Sequence, residues 1–124
     1  MNVERFEDLR IWQEARQLVR LVYSDFGVGT PANYDFGFRN QIQKAGISIM
    51  NNVAEGFERN TDADFAHFLD ISKGSSGEVR SMYYVAEDLH YVAPQTAEQR
   101  REQAIGISRG IAALTNHLRP FPRR

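Results

Sequence analysis

The chain has 124 residues, no cysteine and a formal net charge of −1. The absence of cysteine excludes disulfides, thiolate metal ligands and thiol nucleophiles. The length is enough for a single domain over residues 1–124 with its own hydrophobic core.

The N-terminal residues carry charges and no long apolar run, which predicts neither a signal peptide nor a membrane span and favours a cytoplasmic location. Apolar residues at helical spacing predict a first α-helix over about residues 7–26. Glycine and proline in residues 27–31 end it, because both are disfavoured inside a helix. Its predicted core face, with the tryptophan as anchor, is Trp12, Ala15, Val19, Val22 and Phe26.

A second helix is predicted over about residues 36–59, with Asp35 as its N-cap. Its core face recurs every three or four residues: Ile42, Ala45, Ile49, Val53 and Gly56. A second apolar stripe consists of Ile47, Met50, Ala54 and Phe57. A helix that is apolar on two sides needs neighbours on two sides, which predicts a homo-oligomer with this stripe at its interface. The alternative is that Met50 and Phe57 only widen the core face.

A third helix is predicted over about residues 63–91, with Thr61 as its N-cap. The segment Gly74-Ser75-Ser76-Gly77 favours a loop by propensity alone. The apolar phase before it nevertheless continues after it, so we expect one continuous helix. Its small residues would then let a neighbouring helix approach closely.

Pro94 is predicted to end the third helix, and Thr96 with Gln99 has the spacing of a capping box for a fourth helix over about residues 96–118. Its apolar seam is Ala104, Ile107, Ile111, Leu114 and Leu118. Residues 119–124 form an irregular tail. Four amphipathic helices with short connections predict an all-α fold, an antiparallel up-and-down four-helix bundle.

Three segments resemble the family known as four helix bundle protein, or the 23S rRNA intervening-sequence or ribosomal-protein-like family. They are Phe6-Glu7-Asp8-Leu9 with Trp12, Asn52-Val53-Ala54-Glu55-Gly56, and Gly74-Ser75 with Gly77-Glu78. The motif residues with an expected structural role are Trp12, Asn52, Glu55, Gly56, Gly74, Ser75 and Glu78.

The resemblance implies a closed bundle that assembles into a ring, typically a pentamer, without a cofactor or an enzymatic activity. A similar protein is the accessory variability determinant of diversity-generating retroelements, a basic pentamer that binds nucleic acid and a reverse transcriptase. This chain departs in two respects. Met50 stands where many members have proline, and the protein is mildly acidic, which weakens a nucleic-acid role because phosphate affinity rests on Lys and Arg.

Charge is unevenly distributed: residues 1–94 hold nine Lys and Arg against fourteen Asp and Glu, whereas residues 95–124 hold six Arg against two Glu. A basic end of this kind favours contact with phosphate or an acidic partner, although a solvated helix face has the same composition. The candidate contact residues are Arg100, Arg101, Arg109, Arg119, Arg123 and Arg124. Arg80, Tyr84 and Tyr91 are further candidates, for base stacking. The function favoured is a non-enzymatic oligomeric scaffold for RNA or DNA, and the alternative is a scaffold for another protein.

A metal-dependent bundle enzyme is the remote alternative. Glu87 and His90 match the Glu-x-x-His spacing of di-metal bundles, but Asp64 and His67 lie roughly 35 Å away along the same helix, too far to share a metal. We therefore predict no metal site. Glu55 and Glu78 lack a nucleophile or an oxyanion hole, so we expect Glu55 to pair with Arg59 or Asn52 instead.

Overall fold

The computed structural model describes residues 2–119, which form four α-helices and no β-strand. A short 3-10 turn precedes the first helix, so that helix begins three residues later than predicted. The other boundaries agree with the sequence prediction to within three residues. The helices are α1 (Arg10–Phe26), α2 (Phe36–Phe57), α3 (Asp62–Asp88) and α4 (Pro94–Leu118).

Side-chain caps begin two of the helices, as predicted. The Asp35 carboxylate accepts a hydrogen bond from the Phe38 N–H at 3.2 Å. The Thr61 hydroxyl accepts one from the Asp64 N–H at 3.1 Å. Each bond satisfies an N–H that has no partner within its helix, which fixes where α2 and α3 begin.

The start of α4 differs from the prediction. The helix begins at Pro94 with Ala93 as its N-cap, and no side chain caps it, so the capping box predicted at Thr96 is wrong. Proline is favoured at the first position of a helix, because its missing N–H needs no partner there and its φ is already helical. Pro94 therefore starts the fourth helix, while the third ends at Asp88.

Each helix packs against the next along the chain, and contacts between the end of one helix and the start of the next show that successive helices are antiparallel. Ring contacts join their ends: Phe26 meets Phe38 at 5.0 Å between centroids, and Phe57 meets Phe65 at 5.8 Å. The four helices thus form the predicted all-α bundle. The largest fully buried apolar side chains are Leu18, Val22, Phe26, Ile42, Ile49, Val53, Leu69, Val79, Tyr83, Ile107 and Ile111.

The core face of α1 contains three of the five predicted residues, Ala15, Val22 and Phe26, which are fully buried; the other two predicted residues are not part of it. Ile11 and Leu18 are buried there, whereas Trp12 and Val19 are half-buried at its edge. Trp12 packs edge-on against Phe6 at 5.3 Å between ring centroids, so it covers the core and is not its anchor. Ile11 and Leu18 are apolar, as are Trp12 and Val19, so periodicity alone cannot choose between these two pairs.

Helix α3 continues without a break through Gly74-Ser75-Ser76-Gly77, which confirms the prediction from apolar phase. Two buried serines of α3 form hydrogen bonds to the two neighbouring helices, α2 and α4. The Ser72 hydroxyl donates to the Ile49 carbonyl of α2 at 2.7 Å, and the Ser76 hydroxyl donates to the Ala104 carbonyl of α4 at 2.9 Å. Side chains this small allow helix backbones to approach closely.

Helices α1 and α4 meet more loosely than the other neighbouring pairs. At one end a Cβ added to Gly110 would lie 2.7 Å from Ile11 Cγ2, so the two helices touch there. Between their ends they leave a groove of about 410 Å³ lined by Gln17, Gln103 and Gly106. The close contact of this seam at Gly110 is therefore followed by an open groove towards the middle of the two helices.

None of the helices within residues 2–119 is both long enough and apolar enough to cross a lipid bilayer.

Candidate functional site

Arg100 lies in an ion pair between α4 and α1. Its guanidinium donates to both carboxylate oxygens of Asp25, at 2.9 and 3.2 Å. The Tyr83 hydroxyl donates to the same carboxylate at 2.8 Å. The hydrogen bond to Asp25 raises the pKa of Arg100, while burial and the neighbouring Asp25 charge raise the pKa of Tyr83. This placement removes Arg100 from the cations that could meet a phosphate and gives it a structural role.

Arg101 and Arg119 also have acidic partners. Arg101 donates to Glu87 at 2.9 Å, and Arg119 donates to Asp70 at the same distance. The Arg101 side chain is 14% exposed and the Arg119 side chain 30%. Their charges are partly neutralised, so they contribute less to a basic surface than the sequence indicated. The predictions for Arg123 and Arg124 fall outside the described part of the chain.

Arg109 lies in a groove between α3 and α4 together with two cations of α3, Lys73 and Arg80. The groove has a volume of about 350 Å³, and all three side chains are exposed. None of them forms an ion pair with a carboxylate of residues 2–119. The remainder of the lining consists of Ile105, Ser108 and Ala112.

We name this set, Lys73, Arg80 and Arg109, the basic groove. The uneven charge along the sequence indicated Arg109 but not Lys73, and Arg80 was a candidate only for base stacking. Lys73 and Arg80 are seven residues apart, so they share a stripe of α3, and this spacing was the available signal. Their position opposite Arg109 depends on how α3 and α4 pack.

Tyr91, predicted to present a stacking surface on the third helix, instead ties the loop after α3 to the start of α2. Its hydroxyl donates to Asp35 at 2.6 Å, and its ring packs against Phe38 at 5.4 Å between centroids. The Tyr91 hydroxyl, together with the Phe38 N–H, lowers the pKa of Asp35. The candidate stacking residue that remains is Tyr84.

Polar motif residues line the contact between α2 and α3. The Asn52 amide donates to the Ser48 carbonyl at 2.8 Å and to the Ser48 hydroxyl at 2.9 Å, and that hydroxyl lies 2.7 Å from the Ser75 hydroxyl. These bonds satisfy polar groups at a partly buried helix contact, which gives Asn52 and Ser75 structural roles.

Glu55 and Glu78 do not form a pair. Glu55 receives a hydrogen bond from Arg59 at 3.1 Å, as predicted, whereas Glu78 receives one from Gln41. Gln41 and Glu55 are fourteen positions apart on α2, a rise of roughly 21 Å. The two carboxylates therefore share no site.

The motif glycines differ in their surroundings. A Cβ added to Gly56 would lie 2.8 Å from Phe68 Cβ and 3.0 Å from Phe65 Cδ1, so this glycine is required for α2 and α3 to approach. A Cβ added to Gly74 or Gly77 would have no neighbour within 4 Å. The close-packing role predicted for Gly74 and Gly77 is therefore wrong within the subunit, where Ser72 and Ser76 fill it.

The predicted interface stripe divides into two pairs. Met50 and Phe57 are partly buried and pack against the core, as the alternative interpretation expected. Ile47 is 36% exposed, and Ala54 is partly exposed. Among the four residues, Ile47 and Ala54 thus remain the candidates for contact with another copy.

No group of three or more His, Asp or Glu side chains within residues 2–119 is arranged to hold a metal ion. Glu87, half of the predicted Glu-x-x-His pair, is engaged by Arg101. His90, the other half of that pair, lies two residues beyond the last residue of α3, and its backbone has a positive φ of 58°.

Comparison with known proteins identifies both a family and a fold. The family model of the 23S rRNA-intervening sequence proteins matches residues 7–113. The fold is similar to that of a protein of unknown function from the S23 ribosomal protein family of Bacteroides thetaiotaomicron. Its TM-score is 0.75 at 17% sequence identity, with 85% of this chain and 97% of that chain covered. No curated protein sequence matches. Because the family model spans most of the chain, from the first motif to the end of the basic groove, this protein belongs to the family of 23S rRNA-intervening sequence proteins.

Proposed function

We propose that this protein is a non-enzymatic, cytoplasmic scaffold that assembles as a homo-oligomer and binds nucleic acid through the basic groove. The observation that carries the proposal is the groove itself, where three exposed cations have no carboxylate partner among residues 2–119. Affinity for a polyanion comes mainly from cations that neutralise phosphates and release counterions. Local charge therefore supports binding even though the chain as a whole is mildly acidic.

The oligomer completes this proposal. A ring, a pentamer in keeping with the family resemblance, would repeat the basic groove once per subunit. Several weak contacts to one polyanion gain affinity through their high effective concentration. Exposed apolar side chains on the exterior, Ile47 on α2 and Ile71 on α3, support a contact between copies.

The nucleic-acid proposal is tested by replacing the three groove cations together: Lys73→Ala, Arg80→Ala and Arg109→Ala. Binding of a fluorescently labelled structured RNA is measured by anisotropy between about 50 and 200 mM salt. We expect wild-type affinity to fall steeply with salt. For the variant, the slope of log K against log salt should be smaller by about 0.7 to 0.9 for each phosphate that the protein no longer neutralises.

The matched control removes three exposed cations elsewhere, by Arg16→Ala, Arg20→Ala and Lys44→Ala, and so changes the net charge equally. We expect the control to bind more tightly than the groove variant. Equal affinities and slopes for the two variants would contradict the proposed site. Absence of wild-type binding at about 50 mM salt would contradict the nucleic-acid function and favour a protein partner.

The oligomer is tested by placing a charge on its proposed interface. Ile47→Glu and Ala54→Glu are expected to lower the native mass measured by light scattering, because an unpaired carboxylate would be buried between copies. Val28→Glu is the control, since Val28 is 90% exposed in the loop after α1. Unchanged mass for both interface variants would place the interface elsewhere.

A further inference from the structure

Tyr84 presents an exposed ring on α3, close to the basic groove. Its side chain is 52% exposed, and the Arg101 guanidinium of α4 lies over the ring at 4.1 Å from the centroid. A cation over an aromatic face is attracted by the electron density of the ring. One side of Tyr84 is therefore covered by a cation, while about half of its surface remains open to solvent.

The arrangement of Tyr84 and Arg101 is held in place. Arg101 donates to Glu87 at 2.9 Å, and only 14% of its side chain is exposed, so the guanidinium is fixed between the carboxylate and the ring. Tyr84 is the only tyrosine within residues 2–119 that has a guanidinium over its ring. A fixed ring loses less conformational freedom when a ligand packs on it than a freely rotating one does.

The platform of Tyr84 and Arg101 continues the line of the basic groove. Arg80 precedes Tyr84 by four residues on α3, a rise of about 6 Å. On α4, Ile105 follows Arg101 by four residues, and Arg109 follows Ile105 by four. On α3, Tyr84 thus lies about one turn from Arg80, and on α4, Arg101 lies about two turns from Arg109. Each member of the platform is therefore on the same side of its helix as a cation of the basic groove.

We infer that the basic groove takes single-stranded nucleic acid, with an unpaired base stacked on Tyr84 and neighbouring phosphates on Arg80, Lys73 and Arg109. A duplex offers its phosphates but keeps the faces of its bases inside the stack, so it could use the cations and not the ring. Single strands expose both, and aromatic rings beside a basic groove are the usual means of binding them. This inference rests on the proposed nucleic-acid function and specifies its ligand.

The test compares three labelled probes of about 15 nucleotides, a length within the range that single-strand sites cover. They are an oligouridylate, its duplex with oligoadenylate, and an abasic oligomer with the same phosphates. Wild-type protein should bind the oligouridylate more tightly than the abasic oligomer. Tyr84→Ala should weaken oligouridylate binding about tenfold and leave abasic and duplex binding unchanged.

Tyr84→Phe keeps the ring and should retain most of the affinity, which separates stacking from the hydroxyl. Tyr23→Ala removes another exposed tyrosine, on α1 away from the groove, and should have no effect. If the abasic oligomer binds as tightly as the oligouridylate, or if Tyr84→Ala binds like wild type, the stacking inference is overturned while the basic groove stands. If no probe binds to the wild-type protein, both the stacking inference and the proposed nucleic-acid function are overturned.

Discussion

Replacing Arg100 by methionine is expected to destabilise the protein by about 3–5 kcal/mol, because the Asp25 carboxylate would lose its ionic partner in a largely buried site. The two side chains are only 14% and 10% exposed. The Tyr83 hydroxyl would remain as a hydrogen-bond donor, but it carries no compensating charge. The change is measured as the difference in the free energy of unfolding in urea between variant and wild type.

Two comparisons make this result specific. Arg59→Met breaks the exposed pair with Glu55, whose side chains are 45% and 56% exposed, and should cost less than about 1 kcal/mol. The double variant Arg100→Met with Asp25→Asn should regain part of the lost stability, because no charge is then left buried and the amide oxygen can still accept the hydrogen bond from the Tyr83 hydroxyl. If Arg100→Met costs no more than Arg59→Met, the ion pair does not have the structural role assigned to it.

Gly56→Ala should reduce the free energy of unfolding by about 1–3 kcal/mol, the usual cost of overpacking a well-packed contact. The added methyl group would meet Phe68 Cβ and the Phe65 carbonyl oxygen, at 2.8 and 3.2 Å. Relief requires a shift of backbone between α2 and α3. This cost is expected even though alanine favours a helix over glycine by about 1 kcal/mol.

Gly74→Ala is the matched control, since this glycine is also helical but has open space where a Cβ would lie. It should raise the free energy of unfolding by about 0.5–1 kcal/mol through helix propensity alone. Opposite signs for the two substitutions, both followed by urea unfolding, are the expected result. Destabilisation by Gly74→Ala would instead indicate that this side of α3 contacts another copy of the chain.

Local signals account for what the sequence predicted well. Asp35 and Thr61 cap helices through bonds that span three residues, and the apolar phase of α3 outweighs two glycines in its middle. Such signals need no knowledge of the rest of the fold. Pro94 was misread because proline both ends helices and begins them, and the correct choice depends on where the previous helix stops.

The candidate site was harder to predict, because charged side chains find partners that are distant in sequence. Arg100 and Arg109 look alike on an amphipathic helix, yet Arg100 meets Asp25 across 75 positions and Arg109 faces the cations of α3. Periodicity places a residue on a face of its helix. Packing decides which helix lies opposite that face and which residues of the two helices come level with each other.

The loose seam between α1 and α4 affects the order in which the bundle forms. Contacts between successive helices join residues close along the chain, whereas this seam brings together the two ends of the sequence, and long-range closure is the slow part of folding. The close contact between Gly110 and Ile11 stabilises one end of the seam, and the ion pair between Arg100 and Asp25 stabilises the other. We therefore expect α1 to dock last during folding and to be released first on heating, once the contacts at the two ends of the seam have been lost.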